Sequence, residues 1–260
     1  MGQANGRKSI FITGAASGMG LETARLFARE GWFVGGYDVN GPGIDSLRAE
    51  LGADNGTFEV LDVTDRQAYA AAFDRFGKAT GGRMDILFNN AGIGRGGPFA
   101  EQDLDDILAV VNVNLVGVLN GIRLGLELLK ATPGSLCFST SSSSAIFGAA
   151  GIAVYSATKH AVKGLTEALS VEFAAFGIRV ADVLPGLIDT PILPREWADN
   201  APSEGMWRLI PPVEIAKVVW RAYSEDRVHW YVPEELFAYD AEITADPVGT
   251  RNRILAGRPS

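Results

Sequence analysis

Ser9-Ile10-Phe11-Ile12-Thr13-Gly14-Ala15-Ala16-Ser17-Gly18-Met19-Gly20 is the stretch on which the fold turns. A short, largely apolar run ends in a turn with glycine at 14, 18 and 20, and an amphipathic segment follows to about residue 30. Such a run reads as a strand buried on both faces. Glycines directly behind it let the N–H groups of a helix N-terminus approach an anionic ligand that side chains would hold away. The spacing is G-x-x-x-G-x-G rather than the general G-x-G-x-x-G, so the position between strand and helix carries the reading. Gly14, Ser17, Gly18, Met19 and Gly20 are the candidate phosphate-contacting residues.

Working outward, the same alternation repeats. Strand-like runs fall at Ser9–Thr13, Phe33–Tyr37, Thr57–Leu61, Ile86–Asn89, Leu136–Ser139 and Val180–Leu184, with helical patterns at about 18–30, 43–51, 65–79, 101–130 and 153–176. Thr64 and Gln67 form a capping box for the third helix, and Gly31 and Gly177 stop the first and fifth. Leu104, Leu108, Val111, Leu115, Val118 and Ile122 keep helical spacing along one apolar stripe. This alternation predicts a doubly wound parallel sheet of the Rossmann type, three layers α/β/α, in one domain with its core over about 8–190. Residues 190–212 mix prolines with Trp197, Met206 and Trp207 and read as a substrate lid, or else as a surface insertion or subunit contact. The tail, 233–260, reads as irregular.

The chain has 260 residues, 47% hydrophobic and 21% charged, with a net charge of -8. Those values fit a globular core and exclude nucleic acid as the main partner, since phosphate contacts need clustered Lys and Arg. Cys137 is alone, which excludes an internal disulfide or a cysteine-rich metal site, and it reads as a small buried hydrophobe. No metal is expected. The opening MGQANGRKSI has no apolar region ahead of a cleavage site, and no unbroken apolar stretch is of bilayer-spanning length, so a soluble cytoplasmic protein without membrane partners is the expectation.

Asp38 ends the second strand, eighteen residues after Gly20. An acid there accepts hydrogen bonds from the adenosine ribose hydroxyls and repels a 2′-phosphate, which points to NAD(H) rather than NADP(H). Ser17 and Val39 stand where a phosphate reader would place Arg or Lys. Asp62-Val63, after the third strand, would meet the adenine edge, or Asp62 simply caps the turn before Thr64.

Together these motifs resemble the short-chain dehydrogenase/reductase family in its common single-domain form. The resemblance covers about residues 8–192 and rests on TGAASGMG at 13–20, Asp62-Val63, Asn89-Asn90-Ala91-Gly92, Asn114-Leu115-Val116-Gly117, a serine-rich fifth strand end, Tyr155-Ser156-Ala157-Thr158-Lys159, and Pro185-Gly186 before Thr190. It implies that Asn90, Ala91 and Gly92 pass the adenosine half of the cofactor at the sheet's carboxyl edge. It further implies that Pro185, Gly186, Ile188 and Thr190 meet the nicotinamide end, and that Lys159 holds the nicotinamide ribose. The family's serine stands thirteen residues before the tyrosine, which selects Ser142, with Ser141 as the alternative. Asn114 would hold a relay water. Ala145 stands where the family often has glycine, so the pocket wall departs there.

Tyr155 and Lys159, four apart at a helix start, share a face. A phenol titrates near 10, too high for neutral-pH proton transfer, and an adjacent ammonium would favour its phenolate. The chemistry implied is alcohol–ketone interconversion with Tyr155 and Lys159 exchanging the proton and Ser142 holding the substrate oxygen. Ile146, Phe147, Ile152, Leu187, Trp197, Met206 and Trp207 suggest a hydrophobic, cyclic or aromatic substrate, and Arg95 or Arg195 would anchor a carboxylate if not merely solvated. The competing readings are an NADP(H)-preferring reductase, a sugar-nucleotide epimerase and a non-catalytic cofactor-binding protein. An epimerase usually carries a larger C-terminal domain, and a non-catalytic protein would lack the tyrosine or lysine. The resemblance also implies a homodimer or homotetramer packed through the long central helices.

Overall fold

The computed structural model describes residues 2–257. Seven parallel strands, β1 (Ser9–Thr13), β2 (Phe33–Asp38), β3 (Gly56–Val60), β4 (Ile86–Asn89), β5 (Leu136–Thr140), β6 (Arg179–Pro185) and β7 (His229–Val232), form one sheet in the order β3-β2-β1-β4-β5-β6-β7. The chain winds outward from β1 through β2 to β3, then returns to lay β4 against the other side of β1. That reversal opens a crevice at the carboxyl ends of β1 and β4, where doubly wound sheets bind ligands.

The central strands β1, β4 and β5 are buried on both faces, which explains their apolar runs, while the edge strands β3 and β7 are partly open. Ile10, Ile86, Phe138 and Val183 pack towards α1 (Gly18–Arg29), α2 (Gly41–Leu51) and a later helix named below. Phe11, Leu87, Cys137 and Val180 face the other layer, α3 (Arg66–Thr80), α4 (Leu104–Val111), α5 (Gly117–Lys130) and α6 (Ala153–Glu172). Cys137 is fully enclosed and burial pushes its thiol up to about 12, so it is the inert hydrophobe its context predicts. The later elements are α7 (Arg195–Asp199), α8 (Val213–Ala222), α9 (Leu236–Ala245) and α10 (Pro247–Ala256). Of these, α8 packs against α1 and β6.

Five expectations need correction. The cap of α3 is Asp65, whose side chain accepts from the N–H groups of Gln67 and Ala68; Thr64 instead gives its hydroxyl to Asp62. The helix expected over 101–130 is interrupted by a π-turn at Asn112–Val116. Its apolar stripe faces the core only from Val118 onward, since Leu104 and Leu108 are exposed. A seventh strand is present, and the tail holds α9 and α10 instead of irregular chain. Those tail helices bury few positions (Leu236, Asp240 and Ile243 in α9, Thr250 in α10), so no apolar stripe announces them. By length and composition the span from α4 through α5 could cross a bilayer, but it is broken by charged residues and its inner side packs on α3 and the sheet as a core helix does.

Candidate active site

A cleft of about 1070 Å³ opens along the carboxyl ends of β1, β4, β5 and β6. Its first wall is the glycine turn. Gly14 and Gly18 both hold positive φ, at 68° and 52°, a region that side-chain-bearing residues rarely adopt. A Cβ on Gly18 would stand 2.8 Å from Thr190 Cγ2, and one on Gly20 would overlap the Gly14 carbonyl oxygen. Gly20 therefore serves close helix–strand packing and does not itself line the cleft, whereas Gly14, Ser17, Gly18 and Met19 do. Ser17 is the N-cap of α1 but gives no side-chain cap, and the first turn carries no acid. The helix N-terminus thus presents uncapped N–H donors and an unopposed dipole, a fit for phosphate oxygens.

Asp38 closes that end of the cleft. One carboxylate oxygen accepts from the Ala16 N–H at 3.1 Å and the other from the Asn40 N–H at 2.9 Å. Each oxygen keeps a lone pair for a further donor. Asp62 does not line the cleft: its Oδ1 accepts from the backbone and hydroxyl of Thr64, the turn-capping arrangement. Val63 is buried, with its carbonyl accepting from Asn120.

Thr13 and Asn90 lace the strand ends together. The Thr13 hydroxyl accepts from the N–H groups of Asn90 and Ala91, both at 3.0 Å. Asn90 Nδ2 donates to the Thr13 carbonyl, and its Oδ1 accepts from the Thr140 hydroxyl. Asn90 is thus structural cement under a segment whose residues 90, 91 and 92 line the cleft. Asn114 lies behind that segment at 0% exposure, its amide accepting from the Ile93 N–H and donating to the Ile93 carbonyl. The side chain expected to hold a water is therefore spent on Ile93.

Ser142, Tyr155 and Lys159 all line this cleft, as do Pro185, Gly186, Ile188 and Thr190. Ser141 is turned away and donates to the Lys159 carbonyl at 2.9 Å, which leaves Ser142 as the cleft-facing serine of the two. Ser142 Oγ accepts from the Ser144 N–H at 3.1 Å, leaving its own O–H for the cleft. Lys159 Nζ donates to the Thr140 carbonyl at 2.8 Å and stands 5.4 Å from the Tyr155 ring centre. Burial pushes the Tyr155 phenol up, against a lowering by the Ser142 hydroxyl beside it. Burial likewise draws Lys159 down to about 8, opposed by Asp182. The expected pull of the ammonium on the phenol is not what the chain alone displays. Enclosure favours the neutral form of both groups, and Nζ engages a carbonyl rather than the hydroxyl.

Phe147, Ile152, Leu187, Trp197 and Trp207 line the cleft as expected; Ile146 and Met206 lie behind it, in the apolar cluster with Leu184 and Leu236. Sequence reading missed Tyr239 of α9 and Arg251, Ile254 and Leu255 of α10, which complete the far wall. It also missed Thr13 and Thr140, legible only as ordinary strand-end threonines. Arg95 lines the mouth but pairs with Asp106, and Arg195 pairs with Asp189 at the surface.

A parallel doubly wound sheet with an anion-binding glycine turn, an acid beyond β2 and a Ser–Tyr–Lys group in one crevice defines a nicotinamide-dependent oxidoreductase. A model of the short chain dehydrogenase family matches residues 8–201, and the chain belongs to that family. It is 37% identical to a 3-oxoacyl-(acyl-carrier-protein) reductase of Thermotoga maritima, over 84% of this chain and 91% of that protein. It is 35% identical to the cis-4-hydroxycyclohexanecarboxylate dehydrogenase of Sinomonas cyclohexanicum, over 94% of this chain and all of that one. Among solved structures, levodione reductase superposes with a TM-score of 0.79 at 28% identity, covering 89% of this chain and 97% of that chain. The 3-ketoacyl-(acyl-carrier-protein) reductase of Brucella melitensis complexed with NADH gives 0.78 at 29%, covering 86% and 96%.

Proposed function

We propose that this oxidoreductase interconverts a secondary alcohol and a ketone with NAD(H), on a hydrophobic ring-bearing substrate. The observation that carries the reading is the convergence of Ser142, Tyr155 and Lys159 on a cleft whose other end is the glycine turn and Asp38. Gly14, Ser17, Gly18 and Met19 would hold the phosphates, and Asp38 the adenosine ribose. Lys159 would hold the second ribose, with Pro185, Gly186, Ile188 and Thr190 at the nicotinamide. When bound, that group accepts or supplies hydride. Ser142 directs its O–H at the substrate oxygen, and Tyr155 takes or returns the proton there. Since burial favours a neutral phenol, the resting chain is set to donate that proton, the step that ketone reduction needs.

Trp197 and Trp207 of the 190–212 segment line the cleft beside Phe147, Ile152 and Leu187, which supports reading that segment as a lid over an apolar, aromatic substrate end. Relatives named for a hydroxycyclohexanecarboxylate and for hydroxysteroids support a ring-bearing alcohol. Arg251 is a cation on the far wall; its side-chain bonds run to Asn252, and no carboxylate pairs with it among the described residues. It would receive an anionic group, such as a carboxylate, at the end of the substrate away from the reacting carbon.

The test is turnover of a panel of cyclic ketones and alcohols with NADH and NADPH, with Tyr155→Phe alongside. Turnover lost in Tyr155→Phe with cofactor binding retained is the expected result, and unchanged turnover overturns the reading. Equal or reversed preference for NADPH overturns the NAD(H) assignment and favours the NADP(H)-dependent alternative. The exposed Leu104, Leu108, Leu119 and Val171 on the α4–α6 layer fit self-association into a dimer or tetramer, which sedimentation tests.

A further inference from the structure

Positions 155, 159, 163 and 167 recur every four residues on α6 and share one face. Tyr155 and Lys159 reach the cleft; Lys163 and Glu167 reach a polar cluster further down the same face. Strand register sets Asn89, Ser139, Asp182 and His229 side by side across β4, β5, β6 and β7. Side chains alternate along a strand. Since Leu87, Cys137 and Val180 pack in the α3–α6 layer while Phe88, Phe138, Val183 and Trp230 pack opposite, this polar row lies under α6.

Asp182 is the unusual member. It is 0% exposed, between Val180 and Leu184 on the same face, where an apolar residue would fill the space without a desolvation cost. One carboxylate oxygen lies 2.7 Å from His229 Nδ1, while Oδ2 has no partner. His229 Nε2 lies 3.2 Å from Glu167 Oε1 at the protein surface. Alongside, Asp240 of α9 accepts from Lys163 Nζ and the Tyr231 hydroxyl, both at 2.6 Å. Three carboxylates (Asp182, Glu167, Asp240) therefore share this side of the sheet with three basic groups, Lys159, Lys163 and His229. Other nearby charges are spent elsewhere: Asp106 of α4 pairs with Arg95, and Glu214, Lys217 and Arg221 of α8 pair at the surface beyond the opposite face of the sheet.

Building on the Tyr155–Lys159 reading above, we propose that Asp182, clasped by His229, is a positioning residue for the proton-transfer couple: its buried carboxylate holds Lys159 in the ammonium form. Burial alone drives the Lys159 amine towards neutrality, and Asp182 acts against it. Asp182 is itself pushed up to about 6 by burial, so its charge is in place at neutral pH. His229 meters that charge. While protonated it offsets the carboxylate; once neutral it leaves the excess negative charge on Asp182, under the same helix that carries Lys159.

The experiment is the pH dependence of kcat/KM for ketone reduction with NADH. Asp182→Asn removes the carboxylate's charge, and His229→Lys offsets it at every pH while retaining a donor for Asp182. A negative charge nearby raises the pH at which the couple loses its proton, so each variant moves the alkaline limb down by about one pH unit. If Asp182→Asn does not fold, His229→Lys alone decides. Turnover lowered evenly at all pH with the limb unmoved, or a limb that moves up, overturns the proposal and leaves Asp182 a packing residue. Tyr155→Phe separates the two readings. If it keeps turnover, the chemistry assigned to the cleft fails; if it loses turnover while the limb stays fixed in the other two, only the Asp182 role fails.

Discussion

Lys159 Nζ donates at 2.8 Å to the main-chain carbonyl of Thr140, the last residue of β5, so the amine is fastened to the sheet and not to the tyrosine it serves. The anchor holds α6 at a set height over the strand ends. It also encloses a cation, and enclosure has a thermodynamic consequence.

Lys159 falls from its ordinary 10.5 to about 8 in the fold. A lysine with a depressed folded value costs stability where it must be charged, fully below pH 8 and not at all above 10.5. Lys159→Met is therefore expected to abolish turnover yet stabilise the protein at pH 7 by about 1–3 kcal/mol. Melting curves at pH 7 and above pH 10.5 check this: the gain shrinks or vanishes at the higher pH.

Asp38→Arg exchanges a ribose acceptor for a phosphate donor. The ratio of kcat/KM for NADPH over NADH is expected to rise by about 30-fold or more, roughly 2 kcal/mol. The same change removes the acceptor for the Ala16 and Asn40 N–H groups, so a modest fall in melting temperature accompanies it.

Gly20→Ala puts a methyl group into the Gly14 carbonyl, a backbone atom with no rotamer to move away. Loss of about 2–3 kcal/mol in denaturant unfolding, with NADH binding weakened in parallel, is the expected outcome. Gly164→Ala is the control for backbone entropy, since it lies within α6 without a positive φ and its Cβ would meet nothing within 4 Å.

Asn114→Ala strands the N–H and carbonyl of Ile93, each held by that one amide. The 90–93 segment should loosen, costing about 2–4 kcal/mol. kcat is expected to fall at least tenfold; a variant with wild-type kcat and stability would remove the residue from the site.

Arg251→Gln is expected to raise KM about tenfold for a ring substrate bearing a carboxylate, with kcat nearly unchanged. A neutral ring ketone should be turned over as before. Equal effects on both substrates would mean that Arg251 only shapes the wall.

Much of the site was legible because its chemistry is local. The turn from Thr13 to Gly20, Asp38 at a strand end and the four-residue step from Tyr155 to Lys159 each lie within one element or one loop. The choice between Ser141 and Ser142 was open in sequence, because adjacent serines are chemically alike; the fold separates them by sending one hydroxyl to α6 and the other to the cleft. Asp62 could equally cap a turn or meet a ligand, and its bonds to Thr64 show the capping.

By itself, the amino-acid order determined the alternating strands and helices, the parallel sheet, the crevice at its carboxyl edge and the residues placed there by short-range spacing. Hydrophobic period and glycine placement act over a few residues, so they survive in one dimension. Tertiary structure alone decided what depends on elements far apart in the chain. Examples are the far wall built from α9 and α10, the pairing of Asp182 with His229 across neighbouring strands, and the enclosure that sets the protonation of Tyr155 and Lys159. Burial and register are properties of neighbours in space, and a buried carboxylate or a lowered amine has no signature until those neighbours arrive.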